Sequence, residues 1–308
     1  MFGHSAGIII FSGGYKMSYV IAVASTADLP YEYLKEHDIP FIRYGYTMDG
    51  KSYEDDCKEE TKANIYAQMR QGKTLKTNAI NPYSYYEFLK KFADEGKDII
   101  FLDMTQKISS SYANSLAAVE ELQKDYPDRK IVSMDTLCVS GGLGFLVKQM
   151  VKRKEEGMSY DEVLAWGEEN KLKIAHRFTV DDLNYLKAGG RVSNFSALIG
   201  SMLSIKPVLY VPDEGTLEVA QKIRGRKKAL NTILSSVKAD LEGVDTKGAE
   251  IDILHADCLD DARYIKSELK KAFPGLKEIN ITSLGVVIGA HCGPGLIAVF
   301  YFCNKRRP

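Results

Sequence analysis

Phe178-Thr-Val-Asp-Asp-Leu-Asn-Tyr-Leu-Lys-Ala-Gly-Gly-Arg191 runs on through Val192-Ser193-Asn194 into Ala197-Leu-Ile-Gly-Ser-Met-Leu-Ser-Ile-Lys-Pro207. The pattern reads as helix, glycine stop, polar turn and second helix. Thr179 is placed to cap the first helix, with Asp182 three residues on in the capping-box position. Gly189 and Gly190 supply a left-handed exit. Asn194 is placed to cap a second helix, Phe195 to about Leu203, which is apolar almost throughout. Arg191 stands at the junction, a fixed cation beside an apolar helix. That pairing suits a ligand with an acidic head and an apolar tail. A surface arginine next to a core helix is the plainer alternative.

The two sides of this run are patterned differently. Before it, short apolar runs alternate with helical periodicity. Tyr19-Val-Ile-Ala-Val-Ala24, Ile39 to Tyr46, Ile99-Ile-Phe-Leu102 and Ile131 to Met134 read as strands. Helices follow Pro30, span Thr61 to Met69, start at the Asn81-Pro82 cap, and start again at Ser109-Ser110-Ser111 with Leu116, Val119 and Leu122 on one face. Gly142 to Arg153 is helical, and Ser159 with Glu162 forms a capping box for the next helix. The alternation predicts a parallel α/β layer. After the run, Val208-Leu-Tyr-Val211, the turn Pro212-Asp-Glu-Gly215 and Leu217 to Ile223 read as a hairpin. Helices over 226–241 and 259–272 interleave with strands near 251–255, 278–283 and 296–302. That predicts an α+β unit with a mixed sheet. The expected fold class is therefore α/β in two domains, 17–170 and 171–308, with the change of pattern near 165–178 and a ligand held between the two.

Composition narrows the function classes. The 308 residues suit one large or two ordinary domains, and 45% hydrophobic content is ample for a core. Lys+Arg 41 balances Asp+Glu 41, so nothing global draws the chain to nucleic acid or to anionic membranes. Cys57, Cys138, Cys258, Cys292 and Cys303 are scattered and odd in number, which reads as reduced thiols in a cytoplasmic setting. The histidines show no metal-site spacing, and no metal or cofactor is expected. Residues 1–16 contain Gly7-Ile-Ile-Ile-Phe11 without a basic start and read as an extension outside the fold. No segment reaches the ~18 apolar residues of a membrane span. Gly141-Gly142-x-Gly144 and Gly189-Gly190 match neither a P-loop nor the dinucleotide fingerprint.

Polar residues cluster in a few places. Ser109 and Ser110 sit between a strand and a helix, where free backbone N–H groups favour an anion; ordinary capping is the plainer alternative. Thr77-Asn78 precedes the Asn81 cap and reads as loop. His291 lies in Gly289-Ala-His-Cys-Gly-Pro-Gly295, read as a rigid turn after an apolar strand. Arg224, Arg226, Lys227 and Lys228 crowd a helix start, a position that favours anions, which points to a docking surface. A solvated helix face is the alternative there.

The Phe178–Arg191 wording resembles the DegV family, bacterial fatty-acid-binding proteins that serve a fatty acid kinase. The resemblance runs from Ser18 to Phe302. Its motifs include Ser25-Thr-Ala-Asp-Leu-Pro30, Asp49-Gly50, Tyr53-Glu-Asp55, Asp135-Thr-Leu137, Ser140-Gly-Gly142, Lys222-Ile-Arg-Gly-Arg-Lys-Lys-Ala229 and Val287 to Gly295. The resemblance implies that a long-chain fatty acid is bound in an interdomain tunnel and presented to an ATP-dependent kinase that makes acyl phosphate. It implies carboxylate contacts from Thr77, Asn78, Ser109, Ser110, His291 and Arg191. Phe178, Ala197, Leu198, Ile199, Met202 and Ile205 are expected along the acyl chain. Arg224, Arg226, Lys227 and Lys228 would meet the kinase. Departures from the family pattern stand out at four places. Asn78 replaces a Ser but keeps a donor, Ser110 and Ser111 replace Gly and Thr, Cys292 replaces the usual Thr, and Ala24 replaces a strand-end Asp. The rival reading is an acyl hydrolase using Ser109 or Cys292 with His291, although no G-x-S-x-G elbow is present; a regulatory lipid-sensing module is the third.

Overall fold

Tyr19–Ala24 forms β1 and is buried at every position, as expected of a strand covered on both faces. The structure is a computed structural model and describes residues 19–192 and 205–308. After β1 come α1 (Tyr31–Glu36), β2 (Phe41–Ile42), β3 (Gly45–Met48), β4 (Lys51–Glu54) and α2 (Glu59–Arg70). Next are β5 (Leu75–Asn78), α3 (Pro82–Asp94), β6 (Asp98–Asp103), α4 (Ser111–Asp125), β7 (Ile131–Asp135), α5 (Gly141–Glu155) and α6 (Tyr160–Asn170). The second half runs β8 (Ile174–Thr179), α7 (Leu183–Gly189), β9 (Ile205–Tyr210), β10 (Glu218–Arg224), α8 (Arg226–Asp240) and β11 (Glu250–His255). It ends with α9 (Leu259–Ala272), β12 (Glu278–Ser283), α10 (Val286–Cys292) and β13 (Ile297–Phe302).

Three sheets result. β2-β1-β6-β7 is fully parallel. A second sheet, β10-β9-β8-β13-β11-β12, is mixed: β11 and β12 are parallel and every other pair is antiparallel. A small antiparallel sheet, β4-β3-β5, completes the set. The fold class is thus the expected one, a parallel α/β layer followed by an α+β unit. Local signals explain much of it. Asn81 accepts the Ser84 N–H, and the Ser159–Glu162 capping box is complete.

The mixed sheet has two apolar faces, set by the two-residue period of its strands. Val299 and Tyr301 of β13 join the core under α8 and α9, while Ala298 and Phe300 face the other way, into the main core. α5 lies between the two large sheets, touching β1 and β6 as well as β8, β11 and β13. Its glycines make that fit possible. A Cβ on Gly142 would stand 1.9 Å from His176 Nε2, and one on Gly144 would stand 2.4 Å from the Ala27 carbonyl oxygen. Gly141-Gly142-x-Gly144 is therefore a packing motif between layers.

Several expectations need correction. Thr179 is the last residue of β8, a strand missing from the sequence reading, and Asp182 caps α7 by accepting the Asn184 N–H. β8 lacks alternation because both its faces are buried. Gly189 still belongs to α7, and only Gly190, at φ 64°, takes the left-handed exit. The expected strand over 39–46 divides at Gly45 between two sheets. Thr77 and Asn78 lie in β5 rather than a loop, and His291 lies on α10 rather than in a turn. Leu116 is exposed, while Ser115, Ala118, Val119 and Leu122 form the inward face of α4. Residues 1–16, the Asn194 cap and the expected helix at 195–203 lie outside the described residues.

Candidate functional site

A cavity of about 400 Å³ opens between the parallel and mixed sheets. Thr77 and Asn78 reach it from the end of β5, and Ser109 and Ser110 from the loop that opens α4. His291 approaches from α10, Arg191 from beyond α7, and Phe178 from β8. All seven were singled out from sequence, and the fold brings them to the lining of one cavity. Ile205, expected there too, opens β9 and is buried in the core without lining the cavity. Ala197, Leu198, Ile199 and Met202 lie outside the described residues.

The polar end is built from three separate pieces of backbone. β5 pairs with β3, setting Thr77 opposite Tyr46. The Thr77 hydroxyl lies 2.8 Å from His291 Nε2. α7 and α10 hold that histidine, because Gly189 lets them approach: a Cβ there would stand 3.0 Å from His291 Nδ1. Burial, then the Arg191 charge, pushes the His291 pKa down to about 4, so the ring is neutral near neutral pH. The Arg191 guanidinium donates to the Gly189 carbonyl. Ser109 Oγ accepts the Ser111 N–H at 3.1 Å, and Ser111 Oγ accepts the Ile80 N–H at 3.2 Å. Both serine oxygens thus take backbone protons, and their own O–H groups are left to point elsewhere.

The charged residues that line the cavity are Lys107 and Arg191; no Asp or Glu is among its described lining. Apolar side chains make up much of the remaining lining, among them Val139, Val211, Val287, Leu296 and Phe300. An acidic head and an apolar tail match that combination of cations, hydrogen-bonding groups and apolar walls. A hydrolase fits poorly. Burial pushes the Cys292 thiol up to about 12, which keeps it from being a thiolate nucleophile. His291 pairs with Thr77 rather than with Ser109 or Cys292, and among the described residues no carboxylate bonds its ring. No group of His, Cys, Asp and Glu there is arranged to hold a metal ion.

Residues 18–304 match the model of the DegV family, described as one of uncharacterised proteins. The chain belongs to the DegV family. A DegV domain-containing protein of Clostridium perfringens is 38% identical over 94% of this chain and 99% of its own length. Among solved structures, a DegV family protein of Thermus thermophilus, described by its fatty acid binding, aligns with TM-score 0.82 and 27% identity. That match covers 93% of this chain and 100% of the other. A fatty acid binding DegV family protein of Streptococcus agalactiae is 29% identical, with TM-score 0.80 over 94% of this chain and 100% of its own.

Other lining residues of this DegV chain escaped the sequence reading. Tyr44 sits between β2 and β3, hidden inside what looked like one strand; the glycine after it was the available signal. His176 lies in β8. It is fully buried, accepts the Val139 N–H at Nε2 (3.2 Å), and Nδ1 meets the Ile174 carbonyl at 3.0 Å. Ser140 joins α5 to the wall and donates to Asp28 at 2.5 Å. The basic cluster stands apart from the cavity and is less uniform than expected. Arg224, Lys227 and Lys228 are exposed. Arg226 is instead half-buried and paired with Asp261 at 2.7 Å, an internal tie between α8 and α9.

Proposed function

We propose that this protein binds one long-chain fatty acid in the cavity and presents its carboxylate to a separate ATP-dependent fatty acid kinase. The observation that carries this reading is the cavity itself: hydroxyls, an amide, a neutral imidazole and two cations in a lining that is otherwise largely apolar. The fatty acid binding of the Thermus thermophilus and Streptococcus agalactiae relatives supports it. Thr77, Asn78, Ser109 and Ser110 would donate to the carboxylate, with Arg191 supplying charge. If Thr77 gives its proton to the ligand, the His291 Nε2–H can donate to Thr77 in turn. A buried methylene contributes ~0.8 kcal/mol, so a chain of about fifteen gives roughly 12 kcal/mol gross before ordering costs. The carboxylate must stay bonded, since an unpaired buried charge costs several kcal/mol.

The protein would act as a cytoplasmic, non-catalytic subunit of phospholipid metabolism. The exposed Arg224, Lys227 and Lys228 would meet an acidic surface on the kinase. Native mass spectrometry and solvent extraction of gently purified protein should find a fatty acid at about one per chain. A lipid-free protein that also takes up no added fatty acid would sink the reading. Turnover of an acyl ester would favour the hydrolase instead.

A further inference from the structure

Beside the cavity the fold buries a carboxylate that the head-group contacts above do not use. Asp103 closes β6 with 0% exposure. Its Oδ1 accepts the Tyr44 hydroxyl at 3.2 Å and the Met104 N–H at 2.8 Å; its Oδ2 accepts the Tyr85 hydroxyl at 2.5 Å. Tyr44 lines the cavity together with Ser109. A polar chain therefore runs from the cavity wall inward: Tyr44, Asp103, Tyr85. The groups facing Asp103 are those two tyrosines, the Met104 N–H and, from β7, the like charge of Asp135; among the described residues no cation is hydrogen-bonded or ion-paired to it. Burial foremost pushes the Asp103 carboxyl up to about 6, against three hydrogen bonds that favour its ionised form.

The protonation state of Asp103 decides what Tyr44 offers the cavity. An ionised carboxylate only accepts, so it takes both tyrosyl protons. The Tyr44 oxygen then has only acceptor capacity left for the cavity. An anionic head group at Ser109 would meet that oxygen and, one hydrogen bond behind it, a second negative charge in dry surroundings. Protonation removes both penalties. The neutral carboxyl donates its own proton to one tyrosine, and a tyrosyl O–H is freed to turn toward the ligand.

We propose that Tyr44 and Asp103 are proton-linked positioning residues of the head-group site, so that seating a carboxylate ligand at Ser109 draws one proton from solvent onto Asp103. The proton returns to solvent when the ligand leaves, and no covalent bond changes. This rests on the fatty acid reading of the cavity.

Calorimetric titration with oleate below its micellar concentration tests it. In buffers of differing ionisation enthalpy, the wild-type protein should show net proton uptake on binding near pH ~7. Its affinity should fall by about fivefold between about pH 6 and about pH 8, the equivalent of roughly one pKa unit on an Asp103 that starts near 6. Asp103→Asn, neutral throughout, should keep the tight affinity across that range and take up no proton. Tyr44→Phe, lacking the donor, should stay at the weak level across it. A flat wild-type profile without uptake overturns the proposal alone, as does an Asn variant that keeps the wild-type slope. If the Asn variant does not fold, the wild-type buffer series and Tyr44→Phe decide. No oleate binding at any pH overturns the reading of the cavity and this proposal with it.

Discussion

Thr77 and His291 meet at 2.8 Å although 214 positions separate them in the chain. A hydroxyl held by a neutral imidazole keeps its proton available for an incoming anion, because the ring can supply the next hydrogen bond. Thr77→Val and Ser109→Ala should each weaken fatty acid binding by roughly 1.5–3 kcal/mol, the range for a hydrogen bond to a charged group. Competition against a fluorescent fatty acid measures this as about a 10- to 100-fold loss. Unchanged affinity in both variants would place the head group elsewhere. The family resemblance set both residues at one carboxylate; the hydrogen bond between them was not legible, because it depends on how α10 packs, with Gly189 of α7 against the His291 ring.

At the level of elements, glycine decides how closely the layers approach. A methyl on Gly142 would lie 1.9 Å from His176, a ring fixed at both nitrogens. Gly142→Ala should therefore cost upward of ~3 kcal/mol by overpacking, read as a lowered midpoint in urea unfolding. The start of α8 poses a different question. Four cations stand where the helix dipole disfavours them, but Arg226 is committed to Asp261. A fair test of docking reverses Arg224 and Lys228 to Glu and spares Arg226. Kinase-dependent acyl phosphate formation should then collapse, fatty acid binding should persist, and the wild-type activity should decline with added salt. Normal acyl phosphate formation by the double variant would leave the patch a solvated helix face.

On the scale of the whole molecule, one buried arginine ties distant segments together. Arg306, 5% exposed, donates to the carbonyls of Leu137, Lys171, Ile174 and Pro212, at 2.7 to 3.1 Å. Those segments lead into cavity-lining Val139, His176 and Leu217. Arg306→Ala would leave four carbonyls without that donor and should destabilise the fold by about 3–5 kcal/mol, measured by denaturant unfolding. Buried titratable groups set a pH profile as well. Burial foremost raises Asp28 to about 7, and Asp55 and Asp103 to about 6, while it lowers His176, His255 and His291. The aspartates hold protons more tightly when folded, so their contribution is present at low pH and lost as pH rises through the folded values. The histidines act oppositely, losing their contribution as pH falls below about 6.5. The two sets oppose each other in mild acid. Between about pH 6 and about pH 8 the two sets nearly cancel, so the wild-type unfolding temperature should change little there. Asp28→Asn removes a contribution that falls with pH, so its unfolding temperature relative to the wild type should rise from about pH 6 to about pH 8; a constant difference across that range would show that Asp28 does not titrate there.

The sequence by itself determined the elements whose signals are local. The alternating βα pattern, the Asn81 and Ser159 caps, and the hairpin around Pro212–Gly215 all depend on neighbours a few residues away. It also supplied the residue types of the candidate site, through motif wording that resembles the DegV family. Only the tertiary structure decided what depends on distant partners. β8 carries no alternation, since both its faces are covered. Tyr44 and Asp103 are joined across 59 positions, and neither residue type marks that pairing in advance. Arg226 looked like part of a free basic patch because its neighbours are cations; its partner, Asp261, lies on another helix. Side-chain meetings of this kind follow from how layers pack, which no local period records.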